Sequence, residues 1–93
     1  MAEAHYRAIA PHNPNGPLAT IMSMQFAATI PNFLILESTG HQEQIEAASH
    51  LIDGYPKLVD GHYELPKGPG LGVSLNLDEM EQYPYQPVDN MTR

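Results

Sequence analysis

Three features of the 93-residue sequence predict an α/β fold. A short small-apolar segment, Ala8-Ile9-Ala10, runs into a loop of proline and asparagine. Apolar side chains then recur at three- and four-residue steps from Leu18 to Ala28, and a continuous apolar run, Phe33-Leu34-Ile35-Leu36, follows. Strand, polar loop, helix and strand in one direction form a βαβ unit, the building block of a parallel sheet or barrel.

Ala2 to Arg7 favours helix and leads into the Ala8–Ala10 segment, whose composition suits a buried parallel strand. Pro11 stops that strand. His12-Asn13-Pro14-Asn15-Gly16 is a tight loop, because proline fixes φ, asparagine bonds nearby backbone and glycine tolerates positive φ. Pro17 suits a first helical position. Leu18, Ile21, Met22, Phe26 and Ala28 fall on neighbouring turns of one helix face, and the helix ends near Thr29-Ile30-Pro31. Phe33–Leu36 then reads as a strand buried on both faces.

Gln42 to Leu51 predicts a short helix through Ile45, Ala48 and Leu51. Asp60-Gly61 between Lys57-Leu58-Val59 and His62-Tyr63-Glu64-Leu65 predicts a hairpin with a type I′ turn. Lys67-Gly68-Pro69-Gly70-Leu71-Gly72-Val73 is a loop. Beyond Leu77 acid, tyrosine and proline mix without a period, and a frayed tail is expected.

Four basic and eleven acidic residues give a net charge of −7 and a pI near 4.9. That sum repels phosphate backbones, and Arg7, Lys57, Lys67 and Arg93 form no basic cluster, so nucleic acid is not an expected partner. Absence of cysteine excludes a disulfide framework, a thiolate nucleophile and a Cys-type zinc site, and it suits a cytoplasmic location. The longest apolar stretch, Pro17 to Leu36, is broken by Gln25, Pro31 and Asn32 and lacks the flanks of a secretory leader. Neither membrane span nor signal peptide is expected.

In parallel α/β architectures functional residues gather past the carboxyl ends of strands. His12 follows the first strand and Glu37 the second, and one right-handed βαβ unit brings both to the same rim. A neutral histidine can take a proton there, and a carboxyl group beside it can bind or polarise the reacting group. A plain structural reading fits the same pattern: a histidine satisfying backbone groups in a turn, and a glutamate that is merely the first solvated residue after a strand. The remaining histidines carry less. His5 and His41 have no partner at ligand spacing, His62 falls in the hairpin, and the three-residue step from His50 to Asp53 fits a surface hydrogen bond better than a metal. Gly70-Leu71-Gly72 lacks the third glycine of a dinucleotide fingerprint and the Lys-Ser/Thr of a phosphate loop.

Four segments taken together carry a resemblance. Ala10-Pro11-His12-Asn13-Pro14-Asn15-Gly16-Pro17, Pro31 to Glu37, Asp60 to Pro66 and Pro69 to Val73 resemble, in order and approximate spacing, the carboxyl-terminal part of the mandelate racemase subgroup of the enolase superfamily. Galactonate dehydratase and related acid-sugar dehydratases are the nearest likeness, over about Met1 to Leu77. The resemblance implies a modified (β/α)7β barrel with a capping domain. Ala8–Ala10 would be its seventh strand and Phe33–Leu36 its eighth, followed by a hairpin and an extended tail. Residues 1–53 would be partial barrel, 54–77 a hairpin and Pro-Gly-Leu-Gly segment packed on the capping domain, and 78–93 a tail.

It also implies magnesium-dependent abstraction of the proton next to a substrate carboxylate. His12 would be the general base, Glu37 would hydrogen-bond the carboxylate as it becomes an enediolate, and His12, Glu37 and Asn13 would contact substrate. The expected outcome is loss of water to a 2-keto-3-deoxy sugar acid; a racemase, epimerase or cycloisomerase of the same superfamily, and a non-catalytic truncated remnant, are the alternatives. The expected partners are a sugar acid, the rest of the barrel, the capping domain and further copies of the full-length protein. A barrel of this kind takes about 250 residues. The chain is therefore expected to be the last third or quarter of an enzyme, with the magnesium carboxylates on strands outside it, and to be inactive and marginally folded alone.

Overall fold

The structure, a computed structural model, describes residues 1–38 and 42–87. A single 3-10 turn, Glu3–His5, precedes the first strand segment, and Tyr6 closes it at φ 55°. Helix α1 spans Pro17–Ala27, with Gly16 at its N-cap and proline in the first turn. Its end falls where the sequence places it, and Thr29 Oγ1 caps the Phe26 carbonyl at 2.7 Å. Helix α2, Gln42–Ser49, follows, then two-residue strands β1 (Ile52–Asp53), β2 (Leu58–Val59), β3 (His62–Tyr63) and β4 (Ser74–Leu75), and helix α3 (Leu77–Glu81).

The expected parallel pair survives as one bridge, Ile9 to Phe33. Ile9 N–H donates to the Asn32 carbonyl at 2.8 Å, Leu34 N–H to the Ile9 carbonyl at 2.9 Å, and Glu37 N–H to the Pro11 carbonyl at 3.3 Å. The β2–β3 hairpin has the expected turn, with Asp60 at φ 50° and Gly61 at φ 73°, the doubly left-handed pair that type I′ requires.

Two sequence expectations are corrected, and one pairing is new. Within the segment expected to fray, α3 forms over Leu77–Glu81 with Asn76 as its cap, its Oδ1 accepting the Glu79 N–H at 3.1 Å, while residues 88–93 of that tail lie outside the described residues. β1 pairs with β4 antiparallel, Ile52 opposite Leu75, a pairing between short segments that no periodicity announces. Phe33, Leu34 and Ile35 are not buried on both faces but 41%, 62% and 63% exposed, since among the described residues no strand covers them beyond the Ile9–Phe33 bridge.

The buried apolar core among the described residues is small: Ile21 and Met24 of α1 and Ile52 of β1. α2 lies against both α1 and β1. Gln25 ties α1 to the glycine-rich loop, its Nε2 donating to the Leu71 carbonyl at 3.1 Å and the Pro66 carbonyl at 3.4 Å. The radius of gyration is 15.4 Å, where a compact chain of this length has about 12 Å. An apolar face of α1 stays open at Leu18, Met22 and Phe26. No helix among the described residues is long and apolar enough to cross a membrane.

Candidate functional site

His12 and Glu37 meet. Pro11 ends the first strand segment and delivers His12 at the loop, while Glu37 leaves the second where its N–H reaches the Pro11 carbonyl. His12 Nε2 lies 3.4 Å from Glu37 Oε2, with the side chains 79% and 43% exposed. That separation exceeds an ordinary N–H···O bond, so the imidazole is beside the carboxyl group without being tied to it. Both groups remain open to solvent on one side.

Asn13 sits underneath. It is 1% exposed. Its main-chain N–H donates to Glu37 Oε2 at 2.7 Å, and its Nδ2 donates to the Glu37 carbonyl at 3.1 Å and to Thr20 Oγ1 at 2.9 Å. Thr20 Oγ1 in turn approaches the Gly16 carbonyl at 3.4 Å. The first turn of α1 and the end of the second strand segment are thereby joined through one amide. Asn13 Oδ1 is buried and has no donor among the described residues. The side chain named with substrate contact in the sequence is thus turned inward, with its two N–H groups already committed.

One N–H on a carboxylate oxygen uses one of about four acceptor positions. Glu37 therefore keeps capacity for a ligand, and His12 keeps a ring nitrogen that can take a proton. The pair can bind an acidic or hydroxylated small molecule and move a proton to or from it. Among the described residues no three His, Asp or Glu side chains converge as metal donors. His62 Nδ1 lies 2.8 Å from the Asp60 carbonyl within its exposed turn. His50 and Asp53 border an open polar hollow with Asn76 and Glu79. His41 lies outside the described residues.

Sequence reasoning missed Thr20 and Gln25, both on α1. Thr20 is 6% exposed yet polar, and the only sequence signal for it is a hydroxyl within one turn of a proline-started helix. Tyr55 stands edge-on to Tyr63, ring centroids 6.3 Å apart. Burial, followed by the neighbouring Tyr63, pushes the Tyr55 phenol up to about 12.

Residues 1–80 match the family model described as enolase C-terminal domain-like. D-xylonate dehydratase of Haloferax volcanii is 39% identical over 83 residues, 89% of this chain and 20% of that protein. D-gluconate dehydratase of Thermoproteus tenax is 31% identical over 89 residues, 96% of this chain and 18% of that protein. Among solved structures, the mandelate racemase/muconate lactonizing enzyme-like protein of Roseovarius sp. TM1035 superposes with a TM-score of 0.76 at 31% identity, covering 92% of this chain and 21% of that one. An enolase of the mandelate racemase subgroup from Agrobacterium tumefaciens gives 0.72 at 31% identity, over 87% and 22%. The chain spans about one fifth of the length of the curated relatives it matches.

Proposed function

The chain belongs to the enolase C-terminal domain-like family, and from that premise we propose that it supplies the last two barrel strands and part of the active site of an acid-sugar dehydratase, and is inactive alone. The observation that carries this reading is the convergence of His12 and Glu37 at 3.4 Å on one open rim, in a chain whose relatives include dehydratases of xylonate and gluconate.

His12 takes the proton from the carbon next to the substrate carboxylate. The electron pair left behind moves into that carboxylate, forming an enediolate. Glu37, held by Asn13 and in its protonated form, donates a hydrogen bond to the enediolate as negative charge develops, which lowers the cost of accumulating that charge. Return of that proton from His12 to the β-hydroxyl lets it leave as water, and the enol left behind becomes the 2-keto-3-deoxy acid. Magnesium, the metal of such enzymes, supplies further charge stabilisation. No cluster of His, Asp or Glu among the described residues forms a site for it, which fits a reading in which strands outside these residues would supply its donors.

Likeness to solved enzymes of the mandelate racemase type favours one second reading, return of the proton to the opposite face of the same carbon, as a racemase does. A hybrid enzyme separates the two. In it, this chain replaces the matching 83 residues of the Haloferax volcanii dehydratase. Dehydration of xylonate, gluconate or galactonate that disappears in His12→Asn is the expected result. Deuterium incorporation without dehydration supports the second reading, and a cooperatively folded hybrid inert toward all three acids sinks both.

A further inference from the structure

The hydrogen bonds between the two strand segments do not keep one register. Ile9 gives its N–H to Asn32 and receives that of Leu34, which pairs Ile9 with Phe33. Two residues on, a regular parallel ladder would pair Pro11 with Ile35. The N–H of residue 11 would go to the Leu34 carbonyl, and the Leu36 N–H to the carbonyl of residue 11. Proline has no N–H to give, and its carbonyl takes the N–H of Glu37 instead. One extra residue on the second strand is accommodated opposite Pro11, which is the definition of a bulge.

The slip decides which way Glu37 points. Side chains alternate between faces along a strand, so a one-residue shift of register exchanges the faces. Without the shift, Glu37 would share a face with Ile9, Pro11 and Asn13, away from His12. With it, Leu36 stands opposite Pro11 and Glu37 opposite His12. Burial follows the shifted pattern: Pro11 and Leu36 are partly covered, whereas Ala10, His12, Leu34 and Glu37 are exposed. The 3.4 Å approach of His12 to Glu37 is the direct result.

We infer that Pro11 is a positioning residue: by withholding an N–H it opens a one-residue slip between the two strand ends, which Asn13 then closes from below and which turns Glu37 onto the face of His12. This rests on the roles proposed above for His12 and Glu37. Asn13 holds the shifted Glu37 at two points, its carboxylate oxygen and its main-chain carbonyl, so the bulge is fixed at the end where Pro11 cannot fix it.

The test uses the hybrid enzyme and a deletion that corrects register. Pro11→Ala restores the missing donor and favours the regular ladder, and kcat is expected to fall about 10²-fold with little change in KM, the effect of misplacing a catalytic group. Deleting Ile35 in that background shortens the second strand by the extra residue and returns Glu37 to the face of His12 through a regular ladder. Recovery of kcat to within about 10-fold of the parent is expected, which general destabilisation by Pro11→Ala would not produce. Parent-level turnover in Pro11→Ala, or a double variant no faster than the single one, overturns the inference. Turnover that survives Glu37→Gln removes the proposed roles and this inference with them; turnover lost in Glu37→Gln but kept in Pro11→Ala removes this inference alone.

Discussion

The main-chain N–H of Asn13 holds Glu37 Oε2 at 2.7 Å while the imidazole of His12, one residue earlier, stands 3.4 Å from the same oxygen. One loop thus seats a carboxyl group with a peptide hydrogen and sets a proton acceptor beside it.

In the hybrid enzyme, His12→Asn and Glu37→Gln are each expected to lower kcat by about 10²- to 10⁴-fold, the usual weight of a positioned acid or base. Neither should move the melting temperature appreciably, because the His12 side chain is largely solvated and glutamine at 37 keeps an oxygen to accept the Asn13 N–H. Steady-state kinetics with a thermal melt checks this, and near-parent turnover in either variant ends the assignment.

Asn13→Ala should destabilise the same hybrid by about 1–3 kcal/mol, since the Glu37 carbonyl loses the donor that a buried side chain gives it. Asn13→Asp should cost more, because a carboxylate replaces the amide nitrogen that faces that carbonyl and Thr20 Oγ1. Denaturant titration of the two variants supplies the ranking; equal stability of Asp and Asn at position 13 contradicts it.

Gly72 holds φ at 75°, and a Cβ there would lie 2.9 Å from Pro66 Cβ and 3.1 Å from the Pro66 carbonyl carbon. Gly72→Ala should therefore cost about 1–3 kcal/mol through backbone strain and the clash with a rigid ring. The loss should be read in the denaturation midpoint, with substrate affinity unaffected.

Tyr55 ionises near 10 when unfolded and at about 12 in the folded chain. The folded state binds the phenolic proton more tightly, so its contribution to stability is complete below pH 10 and is lost as pH rises from there toward 12. Melting temperature against pH should decline over that window. In Tyr55→Phe the decline should be shallower, and an unchanged slope refutes the link.

Much of this molecule can be read from residue order because local chemistry dictates it. Pro17 after Gly16 starts α1, Asp60-Gly61 closes the hairpin, and strand-end logic brings His12 to Glu37. What cannot be read depends on partners far along the chain. β1 and β4 are two residues each and find one another across a loop, Thr20 and Gln25 acquire their roles only when residues 13, 66 and 71 arrive, and α3 rests on a single capping Asn76. The fully buried strand expected at Phe33–Leu36 fails for a related reason. Among the described residues its apolar run meets a single bridge, Ile9 to Phe33, and no covering strand.

That exposed run makes a last prediction. Phe33, Leu34 and Ile35, together with Leu18, Met22 and Phe26, present open apolar surface beside an unpaired strand edge. The 93-residue chain by itself should associate as concentration rises, seen by size-exclusion chromatography with far-UV circular dichroism. A sharp monomer peak with cooperative melting would contradict this.

Half of the grip on Glu37 belongs to the peptide group of position 13 and not to any side chain. Nineteen of the twenty coded amino acids carry the same hydrogen, so mutational drift at that codon can erase the amide brace yet leave the acid seated, and proline alone would unseat it outright.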